Sequence, residues 1–347
     1  MIVDEKYMRR CLQLAQNGKG FVSPNPMVGA VIVHGGKIIG EGYHRIYGKP
    51  HAEVNAINSV KDKALLKEST IYVSLEPCSH YGKTPPCAQL IIDSGIPRVV
   101  VACLDPYPAV SGRGVKMLQN AGVEVTLGVL EKEALELNKE FFTVQSKKRP
   151  YIYLKWAQTQ DGFIDIARDE NLIPQPTPIS NEFTKMLVHK ERSEVSAIMI
   201  GTNTAIKDNP SLTTRLWYGK NPIRIVLDRK GRIPTDYTLF DGKVETIIFT
   251  EDLKDSSSEN VIYHQARFDE HLLENILSFL QTRQISSVLV EGGRELLQSF
   301  IDKSLWDEAF VETSNVNFKV GIKAPNINGK ILKKGYWRTS EVVHLRF

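Results

Sequence analysis

TIYVSLEPCSHYGKTPPCAQLIIDSGIPRVVVACL, residues 70–104, decides the fold class. TIYVSL (70–75) is a short, continuous apolar run with β-branched residues, the pattern of a buried strand. AQLIIDSG (88–95) has helical spacing and stops at Gly95, a residue suited to helix C-termini. RVVVACL (98–104) is a second buried strand. Strands alternating with helices predict an α/β sheet covered on both faces.

The alternation extends outward. Residues 4–17 place Tyr7, Met8, Cys11, Leu12, Leu14 and Ala15 at helical spacing. MVGAVIV (27–33) and IIGEGY (38–43) read as strands joined by the turn HGGK, and AEVNAINSV (52–60) as a helix. VKMLQNAG (115–122) is a helix, VEVTLGV (123–129) a strand, and KEALELNKEFFTVQ (132–145) one closing helix. QSKKRP (145–150) is polar, basic and ends in proline, before which helices tend to stop, so it is the expected linker. A second series follows. YIYLKWAQ (151–158), AIMIG (197–201), IRIVLD (223–228), TIIFT (246–250) and SVLVEGG (287–293) read as strands. FTKMLVHKERSE (183–194), EHLLENILSFLQT (270–282) and ELLQSFIDK (295–303) read as helices, and the segment after AIMIG as a polar loop. Two α/β domains are expected, 1–146 and 147–347.

Composition limits the function classes. At 347 residues, each domain is large enough to bury its own core. Apolar content of 42% and charged content of 24% are those of a soluble globular chain. The net charge of +4 is diffuse and makes no run of five like charges, which argues against a nucleic-acid partner. MIVDEKYMRRCLQLAQ (1–16) interrupts its apolar residues with acids, so it lacks the core of a signal peptide, and no run is long enough to span a bilayer. Four Cys are too few for a disulfide framework, and the cytoplasm is the expected compartment.

Chemistry concentrates at element ends. His51 opens a helix, Cys78 follows strand 70–75, and Cys87 precedes helix 88–95. Imidazole nitrogen and thiolate sulfur are zinc donors, and three protein ligands leave a position open for water, as in catalytic sites. The start of the helix after Cys87 is expected to favour a thiolate there. Glu53 lies two residues from His51, and i and i+2 do not share a helix face. Both reach one ion only if the helix begins at that point, after Pro50. Singly, each residue reads as an ordinary loop or helix-start residue; together they read as a metal centre with a carboxylate beside it. Cys11 on a helical apolar face and Cys103 in a buried strand read as core. The pattern H-x-E followed by P-C resembles the zinc deaminases, although eight residues rather than two separate the Cys.

PNPMVGAVIV (24–33), GEGYH (40–44), HAEVNA (51–56), LEPCSHYGKTPPC (75–87) and DPYPAVSGRG (105–114) closely resemble the bifunctional riboflavin-biosynthesis deaminase/reductases, with Tyr107 where that family usually has Asn. The resemblance implies a cytidine-deaminase-like three-layer domain followed by a dihydrofolate-reductase-like α/β domain. It implies Zn²⁺ on His51, Cys78 and Cys87, with Glu53 as the catalytic base and then acid. Its substrate would be 2,5-diamino-6-(5-phosphoribosylamino)pyrimidin-4-one; His80 and Lys83, basic groups near the metal, are the candidates for its phosphate, and Asn25 and His44 for its ring or ribose.

In the second half, KWAQTQDG (155–162), AIMIGTNTAIKDNPSLTTR (197–215) and VLVEGGRELLQSF (288–300) resemble, in that order, the reductase half. A Gly pair before a helix lets phosphate approach backbone N–H groups, although alone it is a weak dinucleotide signal. The resemblance implies NADPH, with Gln158, Thr204, Asp208, Gly293, Arg294, Glu295, Leu296, Leu297, Gln298 and Ser299 as cofactor contacts. It implies Arg192, Leu212, Arg215 and Glu291 as substrate contacts, and the two guanidinium forks suit a phosphate. PTPIS (176–180) stands where many members carry Ser-x-Trp-Ile-Thr, and Ser180 retains the hydroxyl. The expected partners are small phosphoribosylated pyrimidines and further copies of the chain in a homo-oligomer. Two other readings stand beside this one: a nucleic-acid or nucleoside base deaminase with an accessory domain, which calls for a basic, aromatic-rich surface, and a non-catalytic chain with structural zinc, which calls for a fourth protein ligand.

Overall fold

A computed structural model describes residues 2–80, 85–106, 111–167, 175–254 and 258–347. The chain divides into two compact units, 1–148 and 149–347.

In the first unit, α1 (Ile2–Gln16), β1 (Gly29–His34), β2 (Lys37–Tyr43), α2 (Ala52–Ser59), β3 (Thr70–Val73), α3 (Cys87–Asp93), β4 (Arg98–Val101), α4 (Arg113–Asn120), β5 (Glu124–Leu127), α5 (Glu131–Leu137) and α6 (Lys139–Lys147) follow in order. The sheet runs β2-β1-β3-β4-β5. β1 is antiparallel to both neighbours, and β3, β4 and β5 are parallel. Alternate strand residues face opposite sides. Ala30, Ile32, Ile71, Val73 and Val99 pack under Ala56 of α2, Ile91 of α3 and Leu118 of α4. Val31, Val33, Tyr72 and Val100 pack under Met8 and Leu12 of α1 and Ala134 of α5. This is the expected three-layer arrangement, and it explains strands apolar on both faces. Cys11 and Cys103 are buried, as expected, their thiols donating to the carbonyls of Tyr72 and Ser74.

The helix expected over 132–145 is two helices. Asn138 breaks it because its side chain is committed elsewhere, accepting the Met27 N–H at 2.8 Å and donating to the Met27 carbonyl at 2.9 Å. The first half of the expected linker 145–150 is helical, since α6 runs to Lys147 and stops at Lys148 in left-handed backbone.

The second unit contains β6 (Tyr151–Gln158), β7 (Phe163–Asp165), α7 (Glu182–Glu194), β8 (Ala197–Gly201), α8 (Thr202–Asp208), β9 (Ile223–Leu227), β10 (Thr246–Thr250), β11 (Val261–Gln265), α9 (Leu272–Thr282), β12 (Ser287–Gly292), α10 (Arg294–Asp302), β13 (Glu308–Thr313), β14 (Ile322–Lys323), β15 (Lys330–Trp337) and β16 (Ser340–Arg346). Nine strands form one sheet in the order β11-β10-β9-β8-β12-β6-β13-β16-β15, parallel except for β16, which opposes both neighbours. Helices α9 and α10 cover one face through Leu273, Leu277, Leu297 and Phe300. Ala205 of α8 and Leu212 pack on the other face with Ile198, Ile200 and Val226. The polar loop expected after AIMIG is the helix α8. Strands β7, β11, β13, β14, β15 and β16 lie where no element is expected; in β13 the apolar pattern is broken by Glu308 and Glu312, charged residues buried in the strand. Glu308 pairs with Arg346 at 2.5 Å and with His344 at 3.0 Å. Glu312 accepts from Ser180 and Ser340.

Candidate active site

In the first unit, His51 is the N-cap residue of α2, in extended backbone at φ −71° and ψ 170°. This start lets His51 and Glu53 approach the same point, as the i,i+2 argument requires. Cys78 ends the segment after β3, and Cys87 is the first residue of α3. The three candidate ligand atoms lie within 4.8 Å of one another. His51 Nδ1 is 3.7 Å from Cys78 Sγ and 3.5 Å from Cys87 Sγ. A tetrahedral ion at ordinary zinc–nitrogen and zinc–sulfur lengths puts N and S about 3.6 Å apart. Donor types and spacing therefore both fit zinc, and these three are the only such cluster of His, Cys, Asp and Glu among the described residues.

The thiol environments correct one expectation. The backbone N–H of Cys87 donates to Cys78 Sγ at 3.2 Å, and the Ala88 N–H to the Cys78 carbonyl. Cys78, not Cys87, is therefore the sulfur satisfied by the start of α3. Accepting the Cys87 thiol, then His51 and the Cys87 N–H, holds the Cys78 thiol below its usual range. The Cys87 thiol is pushed up by that same pairing and by burial.

Glu53 is 3% exposed. Burial, then the Cys78 sulfur, pushes its carboxyl up to about 7, while His51 and Cys87 pull the other way. His44 is also buried, and its ring packs edge-on to His51 with centroids 5.3 Å apart. Both its nitrogens are engaged: Nδ1 lies 3.2 Å from the carbonyl of Pro50, and Nε2 lies 3.2 Å from Asn25 Nδ2. The structure thus brings Asn25 and His44 beside the cluster. His80 is exposed, and Lys83 lies outside the described residues.

Glu76 was not singled out from the sequence. It is 4% exposed, and its carboxylate accepts four backbone N–H groups, from Asp105, Gly112, Gly114 and Val115, at 2.9–3.2 Å. A charged residue next to Pro77 and Cys78 carries no periodic signal of this role; the signal would have been a Glu at the end of a fully apolar strand.

In the second unit, a cleft of about 1400 Å³ opens along the ends of β6, β8 and β12. Thr204, Asp208, Gly293, Arg294, Glu295, Leu296, Leu297 and Ser299 line it, as do Arg192, Leu212, Arg215, Glu291 and Ser180. Two expected cofactor residues do not. Gln158 accepts from Trp156 Nε1 at 2.9 Å, and Gln298 holds Asp302 and the Asn326 N–H on the exposed side of α10. Arg192 closes on Glu291 through Nε at 2.8 Å and Nη2 at 2.5 Å, and donates from Nη1 to the Thr213 carbonyl. A Cβ on Gly293 would stand 3.1 Å from Thr204 Oγ1, and Gly292 has φ +141°. The glycine pair thus presents bare backbone against Thr204 at the head of α10.

The family model for the cytidine and deoxycytidylate deaminase zinc-binding region matches residues 1–103, and that for the RibD C-terminal domain matches residues 150–312. Riboflavin biosynthesis protein RibD of Aquifex aeolicus is 44% identical over 89% of this chain and 86% of its own length. The Escherichia coli protein of the same name is 38% identical over 89% and 86%. A crystal structure from Thermotoga maritima, a diaminohydroxyphosphoribosylaminopyrimidine deaminase/5-amino-6-(5-phosphoribosylamino)uracil reductase, superposes with a TM-score of 0.90 at 39% identity, covering 99% of each chain. With a zinc-type cluster in one unit and a glycine-headed cleft in the other, the chain belongs to the RibD family of bifunctional riboflavin-biosynthesis enzymes, a deaminase joined to a reductase of dihydrofolate-reductase-like fold.

Proposed function

We propose that residues 1–146 deaminate 2,5-diamino-6-(5-phosphoribosylamino)pyrimidin-4-one by hydrolysis. Residues 147–347 then reduce the ribosyl group of the product, 5-amino-6-(5-phosphoribosylamino)uracil, to ribityl with NADPH. The observation that carries this reading is the convergence of His51, Cys78 and Cys87 on one point beside buried Glu53.

His51, Cys78 and Cys87 would hold Zn²⁺, which supplies a Lewis acid able to bring the pKa of water toward neutrality. Glu53 accepts the proton of the attacking water and hands it to the departing amine, acting as base and then as acid. A carboxyl raised by burial suits both halves of that exchange. Asn25, held by His44, faces the ring or ribose, and His80 and Lys83 serve the phosphate.

In the reductase, Thr204, Asp208, Gly293, Arg294, Glu295, Leu296, Leu297 and Ser299 would hold NADPH, which supplies a hydride. Arg192 and Arg215 receive the substrate phosphate, with Leu212 and Glu291 shaping that wall of the cleft. Orientation, rather than a strong acid, is what these residues contribute. The chain works in the cytoplasm on small molecules and not on nucleic acid, in keeping with its diffuse charge; no helix among the described residues is long and apolar enough to cross a membrane. Exposed Ile331, Tyr336 and Trp337 on the edge strand β15 support a homo-oligomer.

The test is ammonia release from the diaminopyrimidine by zinc-loaded protein, followed by NADPH oxidation on the deaminated product. Zinc-loaded protein that releases no ammonia sinks the first assignment, and product that leaves NADPH untouched sinks the second.

A further inference from the structure

His189 lines the reductase cleft but has no part in the reading above. It precedes Arg192 by three residues on α7, so the two side chains leave the helix on one face. The residue is 6% exposed, and its Nδ1 accepts the backbone N–H of Arg215 at 2.9 Å. A ring nitrogen that accepts cannot carry the proton, so the neutral ring bears its hydrogen on Nε2. Burial first, then the charges of Arg192 and Arg215, hold the ring neutral, with Glu291 acting in the opposite sense.

The surrounding donors show why a third is needed. Arg192 spends Nε and Nη2 on Glu291, so much of its charge is already compensated. Arg215 gives Nη1 to Thr213 Oγ1 at 3.0 Å. A phosphate monoester presents three anionic oxygens, and two partly committed guanidinium groups leave room for another donor. The Thr213 carbonyl is the competing acceptor near His189, but it already takes Arg192 Nη1 at 3.3 Å. A phosphate oxygen is the stronger acceptor.

We infer that His189 is a further substrate-binding residue of the reductase, donating its Nε2–H to the phosphate of the phosphoribosyl group beside Arg192 and Arg215. This rests on the assignment of that phosphate to the two arginines. The same ring positions Arg215 through Nδ1, and the two duties can be separated by substitution. His189→Asn keeps an acceptor near Nδ1 and loses the distal donor; His189→Gln reaches the Nε2 position with an amide N–H and loses the near acceptor.

The experiment measures inhibition of NADPH oxidation by ribose 5-phosphate, the phosphorylated fragment of the substrate. His189→Asn should raise its inhibition constant and the substrate KM about tenfold or more, with kcat within about twofold. His189→Gln should return both to within about threefold of the parent enzyme. A purely structural histidine gives the reverse order, with rescue by Asn and not by Gln. That order, or an unchanged inhibition constant in His189→Asn, overturns the inference. Should the variants fail to fold, nitrogen-15 NMR of the intact enzyme decides: the His189 ring should show the Nε2–H tautomer and shift on adding ribose 5-phosphate, and an unmoved signal overturns the inference. Arg215→Gln separates the two levels. If it leaves ribose 5-phosphate inhibition unchanged, the phosphate assignment and this inference fall together. If it weakens inhibition while His189→Asn does not, only the role of His189 falls.

Discussion

Glu76 Oε1 accepts the backbone N–H of Gly114 at 2.9 Å, and a Cβ on Gly114 would stand only 2.0 Å from the carbonyl oxygen of Pro77. The first turn of α4 is thus pressed against the residue that precedes Cys78 and fastened there by a buried carboxylate. Glu76→Gln would turn an amide N–H group toward backbone donors and leave at least one unpaired, at about 1–3 kcal/mol each. Zinc release to a chelator should quicken about tenfold, with reductase kcat/KM unchanged. Gly114→Ala should do the same by displacing Pro77. Parent-like zinc retention in both variants would show that the clamp does not set the position of Cys78.

Glu53→Gln keeps the shape of the side chain and removes the titrating group. Deamination should fall by about 10²–10⁴-fold, with zinc content and NADPH oxidation unchanged. Ammonia release near the parent rate, with zinc still bound, would remove the proton-shuttle assignment.

Metal removal should divide the two activities. A chelator abolishes ammonia release and leaves NADPH oxidation on the deaminated intermediate intact, because the reductase cleft is lined entirely by residues of the second unit. The three ligands are already bridged by sulfur–nitrogen and N–H···S contacts. Added zinc should therefore restore deamination without an unfolding and refolding step. Loss of reduction on chelation contradicts the division.

How far the sequence reaches is visible in these residues. His51, Cys78 and Cys87 were legible because His and Cys are rare in this chain and stand at element ends, where α/β sheets build sites, and Glu53 because it follows His51 by two residues. The strands of both sheets were legible where both faces are apolar. Glu76, Glu308 and Glu312 were not, because a buried carboxylate is defined by its partners, and these lie between 28 and 132 residues away in the chain. The break at Asn138 has the same origin, a partner 111 residues distant. The thiolate preference was misplaced because the Cys87 N–H, at the start of α3, is directed at Cys78 Sγ, nine residues earlier in the chain.

Glu191 supplies a pH test. Its Oε2 is buried with no hydrogen-bond partner among the described residues, and burial raises its carboxyl to about 7. A carboxyl raised in the folded state binds its proton more tightly there than in the unfolded chain. Its contribution to stability is complete below the ordinary carboxylate value of about 4.3 and is lost as pH rises through about 7. All four Trp, at 156, 217, 306 and 337, lie in the second unit, so their fluorescence follows its unfolding. The urea midpoint of the parent should decline across that window, and Glu191→Gln should flatten the decline. An unchanged slope in the variant would mean that Glu191 is ionised in the folded chain.

The Arg192–Glu291 pair separates stability from function. Both side chains are nearly covered, at 12% and 11% exposed, and the contact is two-pronged. Removing one partner strands the other charge away from water, so Arg192→Met or Glu291→Leu alone should each cost about 3–5 kcal/mol. The double replacement leaves no charge to strand, and its thermal midpoint should recover to near or above the parent value. Its reductase activity should not recover, because the cleft would have lost a guanidinium assigned to phosphate and the carboxylate that aims it. A double variant as unstable as the single ones would place the value of the pair in packing. One that reduces the substrate at the parent rate would free both residues from the site, and the phosphate would then have to be sought at Arg215 and His189.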